Sequence, residues 1–122
     1  TCYAVITPVQ YAIADYMEWT PDHYSELPAF YAHKRDRFCE LVSNSRFEYR
    51  PAQGTFFQIL DYSEISDEDD VTYAKRLTRE IGVASIPVSV FCEMPPPGRK
   101  LRFCFAKDDG MLVTAAERLC QL

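Results

Sequence analysis

Near the C-terminal end of the chain, five residues alternate in character: Leu101-Arg102-Phe103-Cys104-Phe105. Successive side chains of a strand point to opposite faces. Leu101, Phe103 and Phe105 therefore share one face, and Arg102 and Cys104 share the other. A strand with one apolar face has to be covered by further elements. The rest of the chain reads as helices and short strands able to cover it.

Residues 1–20 read as an extended entry, Cys2 to Ile6, and then a short apolar helix. Pro8 sits near that helix's start, where a missing N–H costs little. Thr20-Pro21-Asp22 marks a fresh start: Thr20 can cap, Pro21 fits the first turn, and Asp22 suits the positive end of the dipole. Tyr24, Leu27, Tyr31, Phe38, Leu41 and Val42 follow a helical spacing. Pro28 predicts a kink or a restart, and Ser43-Asn44-Ser45 an end. The expectation is a long, bent helix over residues 21–45, charged on its outer face through Lys34, Arg35, Asp36 and Arg37.

Phe47 to Arg50 then reads as a short strand, and Pro51-Ala52-Gln53-Gly54 as a turn. Thr55 to Leu60 reads as a β-rich, apolar strand. Ser66, with Asp69 three residues on, looks like a capped helix start. That helix turns Val71, Ala74, Leu77 and Ile81 inward and stops at Gly82. Val83 to Phe91 is broken by Pro87 into a short strand and a bend, and residues 94–99 form an exposed loop. Asp108 or Asp109 caps a last helix, with Leu112, Ala115, Ala116, Leu119 and Leu122 on one side. The fold class is α/β, a small sheet of three to four strands covered by helices.

The 122 residues make one domain, and 48% hydrophobic with 14% aromatic content is enough for a core rather than a disordered chain. A net charge of −5 argues against nucleic acid or an anionic membrane as partner. No run of apolar residues is long enough to span a bilayer. The five cysteines are odd in number and none forms a C-x-x-C pair. No zinc site is expected, and buried free thiols in a reducing cytoplasm are. The acidic run 67–70 suits a helix N-terminus better than a metal. The chain begins at Thr1 rather than Met, so the absence of a leader peptide carries no weight.

Arg102 is the residue most open to a chemical role. An arginine amid such apolar neighbours is partly desolvated and must be paired. Its planar fork suits a carboxylate. Two readings follow: a structural salt bridge to an Asp or Glu of the same domain, or a receptor for a ligand carboxylate. Phe56 and Phe57 should point to opposite faces of their strand, one into the core and the other towards a cleft. Phe56 is the candidate pocket-lining residue. His23 and His33 face different ways and are solvated. Cys39 and His33 are too poorly aligned for a nucleophile–base pair. Gly54 stands alone and is no phosphate loop. No catalytic residue, cofactor-binding motif or metal ligand stands out within the chain.

Three segments occur in a telling order: Gly54-Thr55-Phe56-Phe57, then Gly82-Val83-Ala84-Ser85-Ile86-Pro87-Val88-Ser89-Val90-Phe91, then Leu101-Arg102-Phe103-Cys104-Phe105-Ala106-Lys107. An acidic cap and a helix ending Ala116-Glu117-Arg118-Leu119 follow. Together they resemble the C-terminal small domain of class I/II, fold type I, pyridoxal-phosphate-dependent aminotransferases. Within that family they look like the methionine and kynurenine (glutamine) aminotransferase subgroup. The resemblance implies residues 1–20 as the tail of a large cofactor domain, 21–45 as the linking helix, and 46–122 as the small domain that closes over substrate. It also implies that Arg102 binds the substrate's α-carboxylate.

By the same resemblance the intact enzyme is a homodimer that moves an amino group from methionine or an aromatic amino acid to a 2-oxo acid. None of Lys34, Lys75, Lys100 and Lys107 lies in the family's Ser-x-x-Lys context for the Schiff base. The chain alone is therefore expected to be inactive and to hold no cofactor tightly. Two alternatives stay open. One is a carbon–sulfur lyase of the same fold, and the other is a stand-alone ligand-binding or dimerisation module.

Overall fold

In a computed structural model, residues 6–94 and 98–122 are described, and the expected extended entry Cys2 to Ile6 lies mostly outside them. The chain divides into two compact units, residues 1–30 and 31–122. In the first, α1 (Thr7–Trp19) carries Pro8 in its first turn, as its spacing predicts, and buries no residue. Ile6, Tyr11 and Trp19 are exposed apolar groups there. Thr20 does not cap with its side chain. Its hydroxyl donates back to the Tyr16 carbonyl at 2.6 Å, and its own carbonyl accepts from the His23 N–H.

Helix α2 (Pro21–Val42) is assigned without a break through Pro28. Its end is fixed by Ser43 and Ser45, whose hydroxyls bond the carbonyls of Glu40 and Val42. The expected charged outer face is in part inward. Lys34 and Arg35 are only 16% and 24% exposed. Lys34 donates to the Lys107 carbonyl and to Asp109, and Arg35 to the Ala52 carbonyl. Both clamp later segments onto the helix.

Three strands form the sheet: β1 (Phe57–Asp61), β2 (Ile86–Pro87) and β3 (Lys100–Cys104), in the order β1-β3-β2 with both pairings antiparallel. Helices α3 (Asp70–Arg76) and α4 (Asp109–Leu119) complete the unit. The alternation in β3 holds: Leu101, Phe103 and Phe105 are buried, Arg102 half-buried and Cys104 exposed. Their core partners are Phe38 and Val42 of α2, Leu60 of β1, Tyr73 and Leu77 after β1, and Leu112, Ala116 and Leu119 of α4.

Four local expectations are corrected. Phe47 to Arg50 is no strand but a single bridge, Glu48 to Asp61. Tyr49 there turns its hydroxyl to the Cys39 carbonyl, and Pro51 has no N–H to extend a ladder. The second strand begins at Phe57 rather than Thr55, because Thr55 adopts φ 71° and breaks the extended run. The cap of α3 is Asp69, which accepts from the Thr72 N–H; Ser66 is instead engaged with Glu68. Of the residues expected inward, Ala74 and Leu77 are buried and Ile81 packs on the core, but Val71 is only half-buried and Tyr73 is buried as well. Tyr73 stacks on Tyr62 with ring centroids 4.2 Å apart.

After α3 the last turn widens into a π-turn, Leu77–Ile81, and ends at Gly82 with φ 73°, as a C-terminal glycine should. Asp108 caps α4 through the Met111 N–H. The cysteines are also corrected. Among the described residues Cys39 alone is buried, while Cys92, Cys104 and Cys120 are free and exposed. Cys104 is outward by strand alternation and Cys120 by its place at the end of α4. No described helix is long and apolar enough to cross a membrane.

Candidate functional site

The sheet's inner face is covered by helices, and its other face carries Arg102 at the centre of the middle strand. Antiparallel partners share a face, so Ile59 of β1 and Ile86 of β2 flank Arg102 on either side. Both isoleucines remain about two-fifths exposed, at 39% and 40%. The guanidinium carbon lies 4.7 Å from the Phe57 ring centroid and 4.9 Å from that of Phe91. A cation held against aromatic faces gains electrostatically from the ring quadrupole and loses part of its water.

Among the described residues, the ion pairs are those of Lys34, Arg35, Arg37, Arg76 and Arg99. Arg102 has no carboxylate there and no hydrogen-bond acceptor. The structural salt bridge is thus not formed among them. What remains is a half-buried planar fork, oriented by two rings, with its donors unspent among the described residues. Such a group suits the bidentate capture of a carboxylate.

Phe91 comes from a short 3-10 turn, Ser89–Phe91. It was not singled out in the sequence, although the break at Pro87 marks where the turn falls. Phe57 is the half-buried ring on Arg102. Phe56 is 52% exposed and packs on Phe57 at 5.8 Å and Tyr31 at 6.5 Å. Neither phenylalanine enters the core, contrary to the expectation that one would. His33 is exposed, and His23 meets the edge of Tyr16. Burial pushes the Cys39 thiol up from its ordinary value, which disfavours a thiolate. An apolar hollow of about 430 Å³ beside α4, with Phe38, Val83, Phe103 and Leu119 in its lining, contains no acid and no histidine.

Fit to pyridoxal phosphate can be judged from the donor set. The cofactor needs a lysine for its aldehyde and a cradle of N–H groups for its phosphate. In residues 31–122 the N-termini of α3 and α4 are capped by Asp69 and Asp108, with Asp70 and Asp109 beside them. Asp69 and Asp108 accept the Thr72 and Met111 N–H groups, and the four carboxylates together repel a phosphate. Lys34 is committed to Asp109. Neither these two helix N-termini nor Lys34 fits the cofactor, and the described residues contain no cluster of metal-ligating groups.

The chain matches the model of the family "Aminotransferase class I and II" over residues 1–119. It is 48% identical to methionine aminotransferase of Escherichia coli (strain K12), over 98% of this chain and 31% of that protein. It is 31% identical to kynurenine–oxoglutarate transaminase of Dictyostelium discoideum, over 98% and 32% respectively. The chain superposes, with a TM-score of 0.88 and 49% identity, on a crystal structure from Escherichia coli reported with a methionine aminotransferase function. That match covers 98% of this chain and 31% of that one. A second superposition, on N-succinyldiaminopimelate aminotransferase from Mycobacterium tuberculosis, has a TM-score of 0.81 at 28% identity, over 93% of this chain and 30% of that one.

The chain belongs to the class I and II aminotransferases. It spans just under a third of the length of these curated relatives.

Proposed function

We propose that this chain supplies the substrate-closing small domain of a pyridoxal-phosphate-dependent aminotransferase, with residues 1–20 as the tail of the large domain, 21–45 as the linking helix and 46–122 as the small domain. Arg102 is its receptor for the substrate's α-carboxylate. The carrying observation is the half-buried guanidinium between Phe57 and Phe91 that lacks a carboxylate among the described residues. Two parallel N–H groups grip the two carboxylate oxygens. The rings hold the fork's plane and exclude water, so the amino acid arrives in one orientation, and orientation supplies much of the rate. The cofactor provides the electron sink for amino-group transfer, and its lysine and phosphate site belong to segments this chain does not contain.

Methionine or an aromatic amino acid is the proposed donor and a 2-oxo acid the acceptor. Phe91, Ile59 and Ile86 around the arginine are apolar and exposed, which suits an apolar side chain; Phe56, packed on Phe57, is proposed to line the margin of that surface. The intact enzyme is proposed to be a cytoplasmic homodimer. Three exposed free thiols fit a reducing compartment. In the intact enzyme, Arg102→Lys should raise KM for amino acids at least about tenfold, because a point charge replaces a bidentate fork. A KM near wild type would remove Arg102 from the site. Pyruvate and ammonia release without an oxo-acid acceptor would move the assignment to a carbon–sulfur lyase.

A further inference from the structure

Phe91 poses a physical question. Its ring touches the Arg102 guanidinium, yet it is 62% exposed and stands on a turn of three residues. Burial cannot be what keeps it there. The turn is tied down at Ser89 instead. The Ser89 N–H donates to Asp70 Oδ2 at 2.8 Å, and the Ser89 hydroxyl donates to Asp70 Oδ1 at 2.6 Å. Both oxygens of one carboxylate are thus spent on one residue. The Val88 N–H donates to the Lys100 carbonyl, two residues from Arg102 on β3, and the Phe91 and Cys92 N–H groups close the turn on Val88 and Ser89. Asp70 has no part in capping α3, since Asp69 fills that role.

We propose that Asp70 is a positioning residue: through its two hydrogen bonds to Ser89 it fixes the turn that holds Phe91 against Arg102, and so sets the plane in which the arginine receives a carboxylate. This rests on the reading of Arg102 as the carboxylate receptor. The bonds are charge-assisted and made to a backbone N–H and a hydroxyl at once. They immobilise the turn in position as well as in orientation. Without them an exposed phenylalanine on a short 3-10 turn samples other rotamers, and Arg102 loses one of its two rings.

The test is NMR of the Arg102 Nε–Hε group in this chain, with sodium acetate as the probe. Phe91→Ala gives the reference shift for an arginine with one ring. Asp70→Asn and Ser89→Ala should move the wild-type resonance towards that reference. Acetate affinity should weaken about fivefold, the worth of one cation–π contact. Ser89→Thr, which keeps both donors, should restore both. Should Asp70→Asn unfold the chain, Ser89→Ala, which removes one bond, decides alone. A resonance unmoved in Asp70→Asn and Ser89→Ala but moved in Phe91→Ala overturns the proposal. A wild-type resonance that ignores acetate, while still moving in the variants, overturns instead the carboxylate reading on which it rests.

Discussion

Replacing Gln58 by leucine should destabilise residues 31–122 more than any surface change. Gln58 is 1% exposed and its amide is fully used. Its oxygen accepts from the Ala52 N–H at 2.9 Å and from the Cys39 thiol at 3.8 Å, and its nitrogen donates to the carbonyls of Arg50 and Ile59 at 2.8 and 2.9 Å. The side chain thereby ties the turn before β1 to the strand. Leucine has nearly the same volume, so no cavity opens and the loss is chiefly polar. Three strong bonds at about 1 kcal/mol each give about 3 kcal/mol, with the thiol contact adding little. With a urea slope of about 1.5 kcal/mol/M the midpoint should fall by about 2 M at unchanged slope. Equilibrium unfolding followed by circular dichroism reads the shift, and hydrogen exchange at Ala52 should accelerate. A loss under about 1 kcal/mol would refute the reasoning, because it would mean that water satisfies Ala52 and Arg50 at no cost.

Two further outcomes follow from the same structure. Gly82 sits at φ 73° with its missing Cβ aimed at the Arg118 guanidinium, which itself bonds the Ile81 and Gly82 carbonyls. Gly82→Ala should therefore cost about 1–2 kcal/mol in urea unfolding, and a neutral result would contradict the left-handed cap. In acid, Glu68 is held below the usual carboxylate range by Arg76, Asp69 by the Thr72 N–H and side chain, and Asp109 by Lys34. A carboxyl with a lowered folded value stabilises above its unfolded value, so stability should decline from about pH 4 downward. Burial raises Tyr49, Tyr62 and Tyr73, so stability should be full below about pH 10 and be lost above it. Melting temperatures from pH 2 to 11 check both flanks, and a flat acid flank would contradict the carboxylate pairings.

Short periodic signals carried most of the legible fold. The two-residue alternation of Leu101 to Phe105 set its own faces, because a buried strand tolerates no other register. Gly82 and Asp108 announced helix ends through chemistry confined to a few residues. What depended on distant contacts was not legible. Lys34 and Arg35 read as solvated until the segments at Asp109 and Ala52 fold onto them. The Gln58 hub, the Tyr62–Tyr73 stack and the Asp70–Ser89 tie join residues that no local pattern links. For the site, the sequence pointed to Arg102 but not to the rings that hold it. Phe57 and Phe91 lie 45 and 11 positions away in the chain, and Thr55's positive φ removed the strand geometry from which Phe56 had been placed.

The central claim, that Arg102 receives a carboxylate, is tested most directly by the intact enzyme's discrimination between methionine and the amine that lacks its carboxylate. Wild type should prefer methionine in kcat/KM by at least about a hundredfold, the worth of a charge-assisted bidentate pair. Arg102→Met, which keeps the apolar stem and removes the fork, should bring that ratio close to one. A ratio that survives the substitution would contradict the claim and place the carboxylate on another residue.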